Sequence, residues 1–197
     1  SVGRGWTSSR IITGSTSVPR GASSLTLTNH SSARVLPADR GTFMCRYRTE
    51  WATSDISTGG VLNRMWTNSH STADAHTLFY DASSSCFGFK RVATNSTTTV
   101  SSTTVTMSRG STGCVAVTWQ STEGENSNPS YTMLITTDGL TGFTGTSTAF
   151  TQASTSMWYR GSNDGSAGHW NGEIWDERVV PFVLTLPEIR RWMQRAT

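Results

Sequence analysis

Short runs of alternating apolar and polar residues recur along most of this chain of 197 residues. In the clearest run, GTFMCRYRTEW, the apolar residues Phe43, Cys45 and Tyr47 stand two positions apart. Because successive side chains of a β-strand point to opposite faces, this run predicts a long interior strand. The second face of that strand would carry Met44, Arg46 and Arg48. Many such runs, separated by turn-forming residues, predict an all-β fold rather than a helical one.

The composition supports this fold class and a single domain. Ser and Thr together number 62, and Thr suits an exposed strand face while Ser and Gly weaken a helix. Hydrophobic residues make up only 35% of the chain, but the 8 Trp, 7 Phe and 4 Tyr residues are enough to build one core. A domain over residues 22–197 is therefore predicted. Residues 1–21 have little periodicity and three arginines, and are predicted to form an extended arm.

Turn signals divide the strands. The residues from Asp81 to Ser85 separate two apolar runs and predict a hairpin. Asp138 and Gly139 form the dipeptide that tight hairpin turns prefer, because both central positions need a positive φ. The Ser- and Thr-rich segment 94–113 is predicted to be an exposed strand pair, with a low-complexity linker as the alternative.

The C-terminal segment is the one convincing helix. Thr185 and Glu188 have the spacing of a capping box, and Pro187 lies in the first turn, where its missing N–H costs little. The apolar residues that follow recur with helical spacing, at Leu186, Ile189, Trp192 and Met193. This stripe predicts a short helix that packs on the β-domain.

The charges and the cysteines argue against several kinds of site. The net charge of +3 comes from scattered arginines, so no nucleic-acid-binding patch is predicted. Cys45, Cys86 and Cys114 lack the spacing of a zinc or redox motif and are predicted to be buried. The lone histidines are predicted to be exposed; they are His30, His70, His76 and His169. No apolar run could span a membrane, and a chain that starts at Ser1 without an apolar leader is expected to be soluble.

The segment WNGEIWDERVVPFVLTLPEI resembles the C-terminal signature of laminin-G-like jelly rolls, in the concanavalin A-like lectin and glucanase superfamily. The matching residues are Gly172, Ile174, Asp176, Arg178, Val179, Leu184, Thr185, Glu188 and Ile189. The runs TFMCRYRTEW, CVAVTWQS, MLITTDGL and MWYRGSNDG resemble upstream strands of the same family in the same order. Trp175 stands where the family has an acidic residue, and Glu177 where it has an apolar one. The resemblance implies a β-sandwich jelly roll with a short C-terminal helix.

Glu173 and Glu177 have the spacing of the catalytic pair that related β-glucanases carry on one strand. Strand alternation predicts Glu173, Trp175 and Glu177 on one face, and Ile174, Asp176 and Arg178 on the other. However, Trp175 occupies the place of the glucanase helper aspartate. Strand positions four apart also lie about 13 Å apart, whereas the carboxyl groups of a retaining pair lie about 5 to 5.5 Å apart. The favoured alternative is structural, with Asp176 and Arg178 forming a polar pair and the two glutamates solvated.

Aromatic and polar loop residues are better candidates for a ligand site. A carbohydrate-binding surface combines aromatic rings with fixed polar groups. The candidate glycan-binding residues are Trp66, Trp158, Tyr159, Asn163, Asp164, His169 and Trp170, with core packing an equal alternative for Trp66 and Trp170. Calcium is known in this family, but Asp138 and Asp164 have no clustered acidic partners, so no metal or other cofactor is predicted.

These features together predict a non-enzymatic binding or structural module that is part of a larger assembly. The Ser/Thr-rich, Lys-poor composition and the N-terminal arm are interpreted as those of a virion surface protein, such as a phage capsid decoration or tail-associated protein. Its partners would be capsid or tail subunits, or surface glycans. The alternatives are a secreted or cell-surface carbohydrate-binding module and, less favoured, a glycoside hydrolase that uses Glu173 and Glu177.

Overall fold

The alternating runs form the strands of two antiparallel sheets. A computed structural model describes residues 27–28, 40–55, 63–69, 75–93, 96–122, 130–147, 157–160, 170 and 172–195. The predicted arm, residues 1–21, lies outside the described residues and stays a prediction. No helix in the described part of the chain is long and apolar enough to cross a membrane.

Eleven strands are described. They are β1 (Leu27–Thr28), β2 (Arg40–Thr49), β3 (Asn63–Ser69), β4 (Ala75–Asp81), β5 (Cys86–Ala93), β6 (Ser96–Thr104), β7 (Thr112–Thr122), β8 (Ser130–Thr136), β9 (Phe143–Ser147), β10 (Met157–Arg160) and β11 (Gly172–Val180). A single turn of 3₁₀-helix, Thr53–Asp55, follows β2, and the α-helix α1, Leu186–Gln194, follows β11.

The strands pair in an order that differs from their order along the chain. One sheet has six strands in the order β1-β10-β3-β4-β5-β6, and the other has five in the order β11-β2-β7-β8-β9. The final strand β11 therefore lies at an edge, beside β2 near the start of the described chain. The predicted all-β sandwich with a short C-terminal helix is confirmed.

The main core lies between the two sheets. Phe43, Cys45 and Tyr47 are buried there, as the alternation in β2 predicts. The indole ring of Trp66 stacks on Phe43 with ring centroids 4.6 Å apart, and it also lies 5.8 Å from the ring of Trp119. Aromatic contacts of this kind contribute about 0.5 to 1.5 kcal/mol each beyond the burial of apolar area. Three rings from both sheets thus hold the layers together.

A second, smaller core lies on the outer face of the five-stranded sheet. Met44 of β2 and Ala116 of β7 are buried there against Ile189 and Trp192 of α1. The predicted opposite face of β2 is therefore the surface on which the helix packs. Since a helix buries only the stripe that faces the sheet, its remaining side chains stay in solvent.

The first turn of α1 is fixed by its predicted capping residues. The Glu188 carboxylate accepts hydrogen bonds from the backbone N–H of Thr185 at 2.8 Å and from its hydroxyl at 2.7 Å. Pro187 lies within the first turn, where no intrahelical donor is required. Thr42 of β2 holds the preceding link, because its hydroxyl donates to the carbonyl oxygen of Phe182 and accepts from the N–H of Leu184.

The connections between strands confirm one turn prediction and correct two others. The hairpin around Asp81 to Ser85 forms as predicted, between β4 and β5. The Ser- and Thr-rich segment does not form a strand pair of its own. It contains β6 and the first two residues of β7, which lie in different sheets, and residues 105–111 connect them. The Asp138 connection is longer than a tight hairpin. Its carboxylate accepts from the N–H groups of Leu140 and Thr141, which stabilises an open loop.

Two side chains also differ from prediction in their burial. His76 is buried on the inner face of β4, where its ring lies 5.2 Å from that of Trp119 and 5.7 Å from that of Phe89. Its position on a strand that crosses the core overrides the polar sequence around it. Cys114 is only half-buried, whereas Cys45 and Cys86 are buried as predicted, and none of the three forms a disulfide.

Gly139 permits the loop after β8 to touch the helix. Its φ is +67°, and a Cβ at this position would lie 2.7 Å from the Cα of Arg190. We expect Gly139→Ala to lower the free energy of unfolding by about 2 to 4 kcal/mol, since it combines left-handed strain with overpacking. Gly110 is the matched control, because its φ is +78° but its Cβ would meet nothing closer than 4.0 Å. Urea denaturation that gives equal losses for both variants would contradict the close packing of loop and helix.

The capping carboxylate predicts a pH effect on stability. Hydrogen bonds from the Thr185 N–H and hydroxyl hold the pKa of Glu188 below its usual value. A lowered folded-state pKa stabilises the fold above the unfolded-state pKa of about 4.3, and this contribution disappears as the pH falls through the folded value. The difference in unfolding free energy between the wild type and Glu188→Gln should therefore shrink as the pH is lowered from about 6 to about 3. If urea titrations give a constant difference across this pH range, the ionised Glu188 carboxylate does not stabilise the start of the helix.

Candidate functional site

A β-bulge in β11 sets the geometry of the predicted signature segment. Trp175 lies opposite Arg46 and Arg178 lies opposite Met44, so Asp176 and Glu177 both face the single residue Cys45. Asp176 adopts a left-handed conformation with φ of 47°. An extra residue of this kind bends a strand and changes the direction of the side chains that follow it.

The bulge overturns the predicted division of faces in β11. Ile174 packs against the main core before the bulge, and Val179 returns to that core after it. Asp176 was predicted on the face of Ile174, but its carboxylate contacts Arg46 on the outer face. The alternation therefore does not continue through residues 176 and 177.

The predicted carboxylate pair is separated by the same bulge. Glu173 precedes it and is exposed, opposite Arg48. Glu177 belongs to the bulge and is half-buried, with the carboxylate oxygen Oε1 buried. The prediction that both glutamates are solvated is thus correct only for Glu173, and the two carboxyl groups do not share one regular strand face.

Asp176 joins two arginines on the outer face of the sheet. Its Oδ2 accepts from Nε of Arg46 at 3.2 Å, and its Oδ1 accepts from Nε of Arg178 at 3.3 Å. The predicted pairing of Asp176 with Arg178 is confirmed, although the bulge rather than regular alternation brings it about. Arg46 is the buried member of the group, with 8% of its side chain exposed, against 47% for Arg178.

Arg46 also binds the C-terminal end of α1. Its Nη2 donates to the carbonyl oxygens of Trp192 at 3.2 Å, Met193 at 3.4 Å and Arg195 at 2.8 Å. The guanidinium carbon lies 5.1 Å from the ring centroid of Trp192. The last carbonyls of a helix have no intrahelical partner and carry partial negative charge, so a buried cation stabilises them.

The remaining Arg46 donor reaches a thiol. Nη1 lies 3.2 Å from Sγ of Cys114 on β7. Burial raises the pKa of Cys114, while the charge of Arg46 opposes this effect. The thiol therefore serves as a neutral neighbour of the guanidinium beneath the helix.

The indole of Trp175 belongs to neither core cluster. It is half-buried, and its partner in register, Arg46, is on the outer face. Charged side chains surround it on β2 and β11. We define the Trp175 patch as Trp175 together with Arg48, Glu173, Asp176 and Arg178. The side chains of Arg48 and Asp176 are 49% and 34% exposed, so the patch offers both donors and acceptors to a ligand.

The seven predicted glycan-binding residues do not form one described site. Trp66 is 1% exposed and lies in the main core. Trp170 is 5% exposed and makes edge contacts with Trp51 and Tyr47, at ring-centroid distances of 5.3 and 5.8 Å. Burial favours the core-packing alternative for both. Neither indole presents a face to solvent.

The other predicted residues remain predictions. Trp158 and Tyr159 belong to β10, where they lie opposite Asn68 and Thr67 of β3. Asn163, Asp164 and His169 lie outside the described residues. Among the residues that the structure does describe, no group of three or more His, Cys, Asp or Glu side chains is placed to hold a metal ion.

Gly172 fits the signature for a steric reason. A Cβ at this position would lie 2.1 Å from the carbonyl oxygen of Arg48 and 3.0 Å from Nε1 of Trp170. The first residue of β11 can therefore approach β2 and the buried indole only as glycine. Thr185 and Glu188 occupy the helix start, where they form the capping hydrogen bonds described above.

Sequence reasoning missed Trp175 as a surface residue. Charged residues flank it at Glu173, Asp176, Glu177 and Arg178, and the strand lies at a sheet edge. This composition is the sequence signal for an accessible indole.

No protein-family model matches this sequence, and no curated protein sequence matches it. Solved structures do share its fold. Domain 4 of AbnA, a GH43 extracellular arabinanase from Geobacillus stearothermophilus in complex with arabinotriose, has a TM-score of 0.53 at 13% identity, covering 79% of this chain and 67% of that one. Mouse laminin alpha1 domains LG4-5 have a TM-score of 0.52 at 17% identity, covering 85% of this chain and 41% of theirs.

A heptameric SAP-like pentraxin from Limulus polyphemus has a TM-score of 0.48 at 13% identity, covering 77% of this chain and 68% of that one. The chain thus spans less than half of the laminin fragment and about two thirds of the other two. At these identities the likeness to the arabinanase domain and to laminin shows the fold alone. The resemblance to laminin-G-like jelly rolls is confirmed at that level.

Replacement of Arg46 should uncouple α1 from the sheet. Arg46→Met would leave Asp176 and the helix carbonyls without their buried cation, and we expect it to lower the unfolding free energy by about 3 to 5 kcal/mol. Arg178→Met removes the exposed partner of the same aspartate and should cost at most about 1 kcal/mol. Chemical denaturation followed by tryptophan fluorescence gives both values. Similar losses of unfolding free energy for the two variants would show that Arg46 contributes no more to stability than the exposed Arg178.

Proposed function

We propose that this chain is a non-enzymatic binding and structural module that binds carbohydrate at the Trp175 patch. The single observation that carries the proposal is a half-buried indole, outside both core clusters, amid exposed charged residues. Sugars present apolar C–H faces and hydroxyl groups. A site for them therefore combines an aromatic ring with a few fixed donors and acceptors.

The patch is held in place by buried groups. Asp176 is bound to Arg46, which is itself held by three helix carbonyls and is 8% exposed at its side chain. The backbone of Asp176 is part of the bulge that follows Trp175 directly. A ligand would therefore meet preorganised groups, and little conformational entropy would be lost on binding.

The separation of Glu173 and Glu177 supports a non-enzymatic role. A retaining hydrolase needs its two carboxyl groups to flank one bond about 5 to 5.5 Å apart. Here one carboxylate is exposed before the bulge and the other is half-buried within it. Hydrolysis that uses this pair is therefore the less favoured alternative.

The solved structures support carbohydrate binding by analogy of fold. The arabinanase domain, which was solved with arabinotriose, shares the fold of this chain, although its ligand is a property of that protein. The predicted loop residues Trp158, Tyr159, Asn163, Asp164 and His169 remain part of the proposal as a second surface. Because β10 and β11 belong to different sheets, the two surfaces can be tested separately.

The biological setting is proposed from composition. A Ser/Thr-rich chain with 15 arginines, one lysine and an arm-like N-terminal segment fits a virion surface protein, such as a capsid decoration or tail-associated protein, that presents this module outward. Capsid or tail subunits would then hold it in a larger assembly. A secreted or cell-surface carbohydrate-binding module is the alternative, and the Trp175 patch would act in the same way in either setting.

A glycan array that includes arabino-oligosaccharides tests the proposal. We expect the wild type to bind at least one glycan and Trp175→Ala to reduce the affinity about tenfold or more, which corresponds to about 1.4 kcal/mol. Phe182→Ala is the matched control, because Phe182 is an aromatic ring that is 52% exposed but lies outside the patch. Retained binding by Trp175→Ala together with loss in Trp158→Ala would place the site at β10 instead. Absence of any bound glycan for the wild type would refute carbohydrate binding.

A further inference from the structure

An open groove runs between the loop after β8 and the helix α1. Its volume is about 660 Å³. Leu140, Leu186 and Pro187 contribute apolar surface, whereas Arg190, Arg191 and Gln194 contribute polar and basic surface. The groove lies apart from the Trp175 patch, whose residues do not line it. It combines an apolar part with two positive charges.

The two walls of the groove are fixed relative to each other. Gly139 approaches the backbone of Arg190 so closely that a Cβ would lie 2.9 Å from its N atom. The loop itself is held by Asp138, whose Oδ1 accepts hydrogen bonds from Leu140 and Thr141 at 2.8 and 2.9 Å. The capping bonds of Glu188 hold the helix start. The groove is therefore a feature of the rigid fold.

The groove exposes an apolar side chain together with two arginines. Leu140 is 58% exposed and is one of two large hydrophobic residues so exposed in the described part of the chain. Arg190 and Arg191 are exposed, and no ion pair joins either to a carboxylate of the described residues. Among the described residues, no acidic side chain lines the groove, although the charge of Arg191 helps to hold the pKa of the nearby Glu188 low. The groove thus offers a partner an exposed leucine beside two arginines that form no ion pair with a described residue.

We propose that this groove binds an acidic peptide segment of a partner protein. An apolar side chain of the segment would pack on Leu140 and Leu186, and its flanking carboxylates would pair with Arg190 and Arg191. Arginine suits this role because its planar guanidinium binds a carboxylate through two parallel hydrogen bonds. The docking of α1 on the sheet would position these groups.

The chemistry of the groove disfavours other occupants. No aromatic ring of the described residues lines it, whereas sugars and single-stranded nucleic acids are bound largely by stacking on such rings. The N-terminal segment of this chain is excluded by charge, because it contains four arginines and no acidic residue before Asp39. Charge complementarity therefore selects an acidic peptide.

A labelled acidic peptide provides the test. The probe is a fluorescein-labelled peptide in which each Leu is flanked by Glu residues, titrated with the full chain and followed by fluorescence anisotropy. We expect saturable binding that weakens with added salt. The double variant Arg190→Glu, Arg191→Glu and the variant Leu140→Ser should each weaken binding about tenfold or more. Circular dichroism would verify that the variants are folded.

Matched controls separate the groove from general charge attraction. Arg109→Glu makes the same type of charge reversal at a side chain that is 74% exposed and outside the groove, and it should leave binding unchanged. A probe with Ser in place of Leu should bind about tenfold more weakly. Equal binding of the Ser probe, or equal weakening by Arg109→Glu, would overturn the proposal. Sedimentation that shows a dimer dissolved by Arg190→Glu would also overturn it, since the occupant would then be a second copy.

Discussion

The buried guanidinium of Arg46 on β2 binds both the edge strand β11 and the end of the C-terminal helix α1. A buried cation is tolerated only where enough acceptors surround it. Here the acceptors come from β11, through Asp176, and from the end of α1, through three carbonyl oxygens. These groups are between 130 and 149 residues away from Arg46 in sequence. The edge strand and the closing helix are therefore bound by the same charge.

This shared charge explains why the bulge lies where it does. With regular alternation, Asp176 would lie on the face of Ile174 and point toward the apolar core, where an unpaired carboxylate is very costly. The left-handed conformation of Asp176 turns its carboxylate to the outer face, where Arg46 and Arg178 bind it. Trp175, directly before the bulge, then stays beside charged residues on the outer face. One local distortion thus satisfies a structural ion pair and shapes the surface that we propose as the ligand site.

The sequence predicts those features that local patterns determine. The alternation of Phe43, Cys45 and Tyr47 identified an interior strand, and the spacing of Thr185 and Glu188 identified a helix start, because each pattern is complete within one element. The bulge was not predictable, since it arises from the register between strands far apart in the chain. Nor was the burial of Trp66, which depends on Phe43 and Trp119 from the opposite sheet. Predictions failed where a side chain's environment is assembled from distant segments.

The helix α1 shows how one short element can combine stability and recognition. Ile189 and Trp192 face the sheet, and the helix end is neutralised by Arg46, so the inner side of α1 is fully committed to the fold. The outer side carries Arg190 and Arg191, which the fold does not use in an ion pair with any described residue. Because Arg46 anchors the helix from beneath, charge changes on its outer side need not disturb its docking. The residues on the outer surface of α1 can therefore be selected for contact with a partner, whereas the residues on its inner surface are constrained by packing against the sheet.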